Sequence, residues 1–315
     1  MTEISRTAVI AVGGNALSPP GERSTIADQF RHTRSSLGPI VDLVLDDWRV
    51  AVVHGNGPQV GDELVRNEKA RSEVAPLPLG VLVAGTAGWI GYMLQQSLEN
   101  ALRKVGSSRD VVTVLTQVEV AADDPALRDP KKFIGHGLSA VRSRELRAQG
   151  VPVKKDAKGN LRRVVGSPKP ISIHELSTIK ALLDKESVVI ACGGGGIPVY
   201  RDPVLGLEGV DAVVDKDLAA AVLAGELGAE LFLILTDVDA VYTGWGTPEQ
   251  RAIDSLTVAE ADRLNSQGAF GEGSMAPKVR AAVEYVRRTG GRAIITELSR
   301  GRDAVQGTGG TQIIP

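Results

Sequence analysis

Short, almost uninterrupted apolar runs recur along the chain. They read TAVIAV at 7–12, RVAVV at 49–53, VVTVL at 111–115, SVVIA at 187–191, LFLIL at 231–235 and RAIIT at 292–296. None shows the polar–apolar alternation of a half-exposed strand, so each predicts a strand covered on both faces, as in a parallel sheet. Between them the apolar spacing changes to the helical period. Ile26, Phe30, Leu37, Val41, Val44 and Leu45 fall near 3.6 residues per turn. So do Ile90, Met93, Leu94, Leu98, Ala101, Leu102 and Val105, ending at Gly106 as a C-cap. A third helix runs Asp217–Leu227 to Gly228, and Val279, Ala282, Val283 and Val286 mark another closed by Gly290. Thr257 and Glu260 form the spacing of a capping box. Strands alternating with helices predict an α/β fold around a mostly parallel sheet.

Two stretches depart from this rhythm. Residues 122–170 are rich in Pro, Gly and charge, and read as an inserted lid or small subdomain with a turn at Lys158-Gly159-Asn160. Residues 74–98 carry no charge. Prolines and glycines interrupt them, so a buried segment, such as a subunit interface, is expected rather than a membrane span.

The 315 residues suit one large α/β domain or two modest ones, and 43% hydrophobic with 23% charged residues is an ordinary globular balance. A net charge of −2 gives no whole-chain reason to expect nucleic acid. The charge is unevenly placed, however: Arg128–Lys169 alone carries a net +9, so the remainder sums to −11. Such a basic island fits either an anionic partner or a solvated loop region. Cys192 is the single cysteine, which excludes an internal disulfide and suggests a reducing compartment. The opening MTEISRTAVIAVGGN has no basic segment ahead of a long apolar one, so no signal peptide is expected, and the cytoplasm is the expected location.

Ligands of open α/β sheets bind beyond the carboxyl ends of the strands. Three glycine-bearing loops stand at such ends: AVGGNAL after the first run, VVHGNGPQVG after the second and IACGGGGIPV after the fourth. Glycines let backbone N–H groups come close to an anion, and a following helix N-terminus adds positive potential. Pro58 suits the first turn of such a helix. The loops together predict a phosphate or carboxylate site. The chain contains no Gly-Lys pair, so no P-loop, and Pro198 spoils a dinucleotide fingerprint. Its four histidines, His32, His54, His136 and His174, lack metal-ligand spacing. Three lysines stand out by context: Lys132 in DPKKFIGHG, Lys216 in VVDKDLAAA and Lys278 in GSMAPKVRA. The last two begin helices, where a cation opposes the dipole unless an anion sits nearby.

These stretches, with VLTQVEV, SPKPISIHE, LTDVDAVY and AIITEL in the same order, resemble the carbamate kinase branch of the amino acid kinase family over nearly the whole chain. The resemblance implies one domain over 1–315, an αβα sandwich with a roughly eight-stranded, mostly parallel sheet, a lid at 122–170, and a homodimer. It implies phosphoryl transfer between carbamoyl phosphate and ADP, with Mg²⁺ accompanying the nucleotide, usually in arginine or purine-derived nitrogen catabolism. Lys132, Lys216 and Lys278 would neutralise the transferred group, and Asp217 would orient them with help from Asp215. Gly13, Gly14, Asn15, Gly55, Asn56 and Gly57 would bind substrate through backbone N–H and amide groups, with Gly194 and Gly195 forming a further wall. Thr236, Asp237, Val238, Tyr242, Met275 and Lys278 would hold ADP or ATP. No metal-ligating residue is indicated.

Ala87, Phe133 and Gly166 depart from the family pattern, where glutamine, proline and proline are usual. They leave open an enzyme of this kind with another small carboxylate or carbamate acceptor. A non-catalytic nucleotide-binding regulator on the same fold is the other alternative, disfavoured because all three lysines are present.

Overall fold

The computed structural model describes residues 6–14, 17–18, 25–156, 159–271 and 275–315. Its centre is an eight-stranded sheet built from β1 (Thr7–Val12), β2 (Arg49–His54), β3 (Val111–Thr113), β4 (Val188–Ile190), β5 (Leu231–Thr236), β6 (Ser255–Thr257), β7 (Arg292–Glu297) and β8 (Thr311–Ile314), in the order β6-β8-β7-β5-β1-β2-β4-β3. Every neighbouring pair is parallel except β7 and β8. All six apolar runs seen in the sequence form strands of this sheet.

Strand β1 shows why those runs are uninterrupted. Successive side chains point to opposite faces. Ala8, Ile10 and Val12 enter a core with α1 (Ile26–Ser35), α2 (Gly38–Leu45) and α4 (Leu79–Lys104) around it, whereas Val9 and Ala11 enter the opposite core. That second core is closed by α5 (Leu176–Asp184), α6 (Lys216–Leu227) and α7 (Met275–Thr289). The result is a three-layer αβα sandwich.

Helix details follow local chemistry. The pattern at 26–45 splits into α1 and α2 because Pro39 lies in the first turn of the second helix. Helix α4 starts eleven residues before the periodic stretch at Ile90, since the apolar segment ahead of it continues the same helix. Helix α6 ends at Gly228 in the left-handed conformation, and Thr257 and Glu260 form the capping box of Val258–Ser266.

Helix α3 (Gly57–Lys69) leaves the end of β2 with Pro58 in its first turn. Lys132–Ile134, Leu161–Val165 and Val153–Lys155 form a separate three-stranded antiparallel sheet, with helix Ala140–Ala148 beside it. This unit lies on α3. Gly61 and Gly135 meet so closely that a Cβ on Gly61 would stand 2.2 Å from the Gly135 Cα. Around that contact Asp62 pairs with His136 at 2.9 Å, and Glu68 pairs with Arg163 at 2.8 Å and with Arg142. Part of the basic island, Arg142 and Arg163, is therefore held against the Glu68 carboxylate of α3. Among the described residues no helix is long and apolar enough to cross a membrane.

Candidate active site

The first two glycine loops meet where β1 and β2 end. A Cβ on Gly55 would stand 2.8 Å from the Gly14 nitrogen and 3.3 Å from the Lys216 Cδ, so only glycine allows that approach. Two of the expected backbone donors are already engaged. The Gly13 N–H donates to the Leu235 carbonyl at 3.2 Å, and the Gly55 N–H donates to the Val12 carbonyl at 3.1 Å. These glycines bring the loops together instead of offering their own N–H groups. The Asn56 N–H, by contrast, makes no hydrogen bond within the described residues. The Asn56 side chain is held from behind, its Nδ2 donating to Thr86 Oγ1 at 2.9 Å. Gly57 is exposed at the start of α3, and Asn15 lies outside the described residues.

Behind Asn56 stands the four-glycine loop, wholly buried after β4. Each glycine abuts a different wall. A Cβ at Gly194, where φ is +70°, would stand 2.2 Å from Asn56 Nδ2. At Gly195 it would stand 2.2 Å from the Val214 carbonyl oxygen, and at Gly196 2.2 Å from Val118 Cγ2. The loop gives way to the residues that line the site, Asn56 above all.

The three lysines come from three separate elements. Asp215 caps α6: its Oδ1 accepts from the Asp217 N–H at 3.0 Å, while its Oδ2 lies 2.5 Å from Lys132 Nζ. Asp217, one residue into the helix and 4% exposed, holds the other two. Its Oδ1 accepts from Lys216, and its Oδ2 lies 3.3 Å from Lys278 Nζ. Three ammonium groups thus share two carboxylates, and the Asp237 carboxylate also acts on Lys278. Burial pushes the Lys216 pKa below its ordinary value against the pull of Asp217. For Lys278 burial acts the same way but is outweighed by Asp217, Asp215 and Asp237, and its pKa rises. Burial opposes ionisation of Asp217 too, yet the two ammoniums prevail and hold it far below the carboxylate range.

The residues expected at a nucleotide are more dispersed. Asp237 is near enough to Lys278 to raise its pKa. Thr236 and Asp237 line an open cavity of about 410 Å³ with Pro39, Glu297 and Arg302, on the α2 side of the sheet. Tyr242 donates to Asp239 Oδ1 at 2.7 Å, with Trp245 edge-on at 5.2 Å. Val238 lies in a bend and Met275 opens α7, both half-buried.

The three departures from the family pattern lie around this site. Ala87 is buried beside Gly193. Phe133 lies under the Arg162 guanidinium at 5.5 Å. The Gly166 carbonyl accepts from the Val213 N–H at 3.1 Å, joining the small subdomain to the stretch that carries Asp215. Sequence reasoning missed Thr86, hidden in a charge-free helix, and His54, which reads as a core histidine ending an apolar run.

The model of the amino acid kinase family matches residues 6–297. The chain belongs to this family, in its carbamate kinase branch. It is 46% identical to the carbamate kinase of Escherichia coli K12 over 309 residues, covering 98% of this chain and 99% of the relative. With the carbamate kinase of Halobacterium salinarum it shares 45% over 311 residues, 98% of each chain. Among solved structures, Giardia lamblia carbamate kinase bound to AMP-PNP superposes with a TM-score of 0.91 at 36% identity, covering 99% of both chains. As an amino acid kinase the chain is a phosphotransferase.

Proposed function

We propose that this chain is a carbamate kinase, transferring a phosphoryl group reversibly between carbamoyl phosphate and ADP to give ATP and carbamate. The observation that carries the reading is the convergence of Lys132, Lys216 and Lys278 on Asp215 and Asp217, beside the Gly14–Gly55 contact. Phosphoryl transfer needs in-line positioning and neutralisation of charge on the equatorial oxygens. The three ammonium groups and the unengaged Asn56 N–H meet that need. The P–O bond to the carbamate oxygen breaks and a new one forms to the terminal oxygen of ADP. Carbamate leaves as an anion, so no general base is required.

The nucleotide reading is supported by the AMP-PNP-bound relative and by Lys278, whose helix α7 continues the expected nucleotide-binding stretch. Among the described residues no group of three or more acidic, histidine or cysteine side chains gathers to hold a metal. Both oxygens of Asp215 and both of Asp217 are already engaged. The expected Mg²⁺ therefore fits as a cation carried on the nucleotide phosphates with its waters, and no step here runs through it. A lid role for the subdomain, a homodimer, a cytoplasmic location and a place in arginine metabolism belong to the same proposal.

The test is ATP formation from carbamoyl phosphate, ADP and Mg²⁺. Turnover is expected. Activity confined to another acyl phosphate, such as acetyl phosphate, would overturn the acceptor assignment and implicate Ala87 and Phe133.

A further inference from the structure

His54 ends β2 and is fully buried beneath the site. Its Nδ1 lies 3.1 Å from the Gly55 carbonyl oxygen. A carbonyl only accepts, so a hydrogen bond here requires the proton on Nδ1 and leaves the lone pair on Nε2. Among the described residues Nε2 makes no hydrogen bond. It faces the first glycine of the four-glycine loop, where a Cβ on Gly193 would stand 2.5 Å away. Burial brings the ring's pKa down to about 4, despite the nearby carbonyls of Gly55 and Ala87, and Lys216 pushes in the same direction. A ring with a pKa near that value is neutral around pH 7.

We propose that His54 is a positioning residue for phosphoryl transfer: its Nδ1–H pins the Gly55 carbonyl and so aims the Asn56 N–H at the anion site. The inference rests on the kinase reading above. The peptide between Gly55 and Asn56 is planar and trans, so its C=O and N–H point in opposite directions. With the carbonyl held toward the ring, the N–H points away from it. The Asn56 nitrogen stands 3.9 Å from where a Gly14 Cβ would be, beside the first loop. Gly55 itself offers little resistance to rotation of this peptide, since glycine tolerates almost any backbone angle. The Thr86 bond fixes the Asn56 side chain but not this amide. The imidazole supplies the missing restraint, and the bare Gly193 leaves room for the ring.

Two measurements test this. In the wild-type protein labelled with ¹⁵N-histidine, the resonances that disappear in His54→Asn should show a neutral ring protonated at Nδ1, unchanged from pH 6 to 9. A ring protonated at Nε2, or one titrating in that range, overturns the proposal. In ATP formation, His54→Asn places an amide nitrogen near the Nδ1 position and should keep kcat within about 5-fold of wild type. His54→Leu fills similar space without a donor, and should lose about 10- to 100-fold in kcat with KM for ADP unchanged, up to the cost of losing one preorganised donor. Equal turnover in both variants, at matched melting temperature, overturns the proposal. If His54→Leu does not fold, the tautomer decides alone. A wild-type protein that makes no ATP would sink the kinase reading and leave the tautomer result standing.

Discussion

Replacing Asp217 with Asn removes the charge that holds two lysines while keeping the side chain's size. Asp217 is 4% exposed, and Lys216 and Lys278 are 13% and 15% exposed. At 3.3 Å and an effective dielectric of about 20, the Lys278 contact alone represents roughly 5 kcal/mol of attraction before desolvation is counted. Net of desolvation, breaking a buried pair by removing one partner costs about 3–5 kcal/mol, because the remaining charge is stranded. At roughly 2 °C per kcal/mol for a chain of this size, the melting temperature should fall by about 6–10 °C. An anion bound at the site would replace the lost negative charge, so inorganic phosphate should raise the variant's melting temperature more than the wild type's. The effect on kcat has a definite sign with pH. Burial already depresses the Lys216 pKa, and without Asp217 it falls further. Its positive charge is then lost as pH rises through the lowered value, so the gap in kcat between variant and wild type should widen from pH 6.5 to 9. The assay is ATP formation across that range beside thermal melts with and without phosphate. A variant that melts with the wild type and keeps a constant kcat ratio would refute the reasoning.

Two further predictions bear on the loops and on the scaffold. Gly194→Ala would drive a methyl into the Asn56 side chain at a position with φ +70°, and should lower kcat by at least 10-fold, about the scale of one misplaced donor; steady-state kinetics on the folded variant check this. Thr257→Ala removes the capping box of Val258–Ser266, which makes no contact with the lysines' ion pairs, and should cost about 1 kcal/mol in thermal unfolding with kcat unchanged.

The sheet was legible because burial on both faces leaves a plain signature: Ala8, Ile10 and Val12 serve one core, Val9 and Ala11 the other, and the run contains no polar break. Strands β6 and β8 carry no such signal. SLT and TQII are short and mixed; β8 adds to β7, and β6 adds to β8. The break between α1 and α2 was masked by an apolar period that continues across Pro39. The lysines were recognisable one by one, but not their meeting. Lys132 and Asp215 are 83 residues apart, and Asp217 and Lys278 are 61 apart, so local pattern carries no trace of either pair. The four glycines invited a reading as ligand-binding backbone. What the sequence did not show is how tightly the buried loop is packed, each glycine leaving space for a different neighbour: His54, Asn56, Val214 and Val118.

Lysines from three separate elements converge on Asp215 and Asp217, placed to neutralise a transferred phosphoryl group. The most direct measurement is kcat for ATP formation by Lys216→Ala at saturating carbamoyl phosphate and ADP, beside the wild type. The expected loss is on the order of 10²-fold or more, as for removal of a preorganised charge stabiliser. Turnover within a few-fold of wild type, in a variant of unchanged melting temperature, would contradict the account.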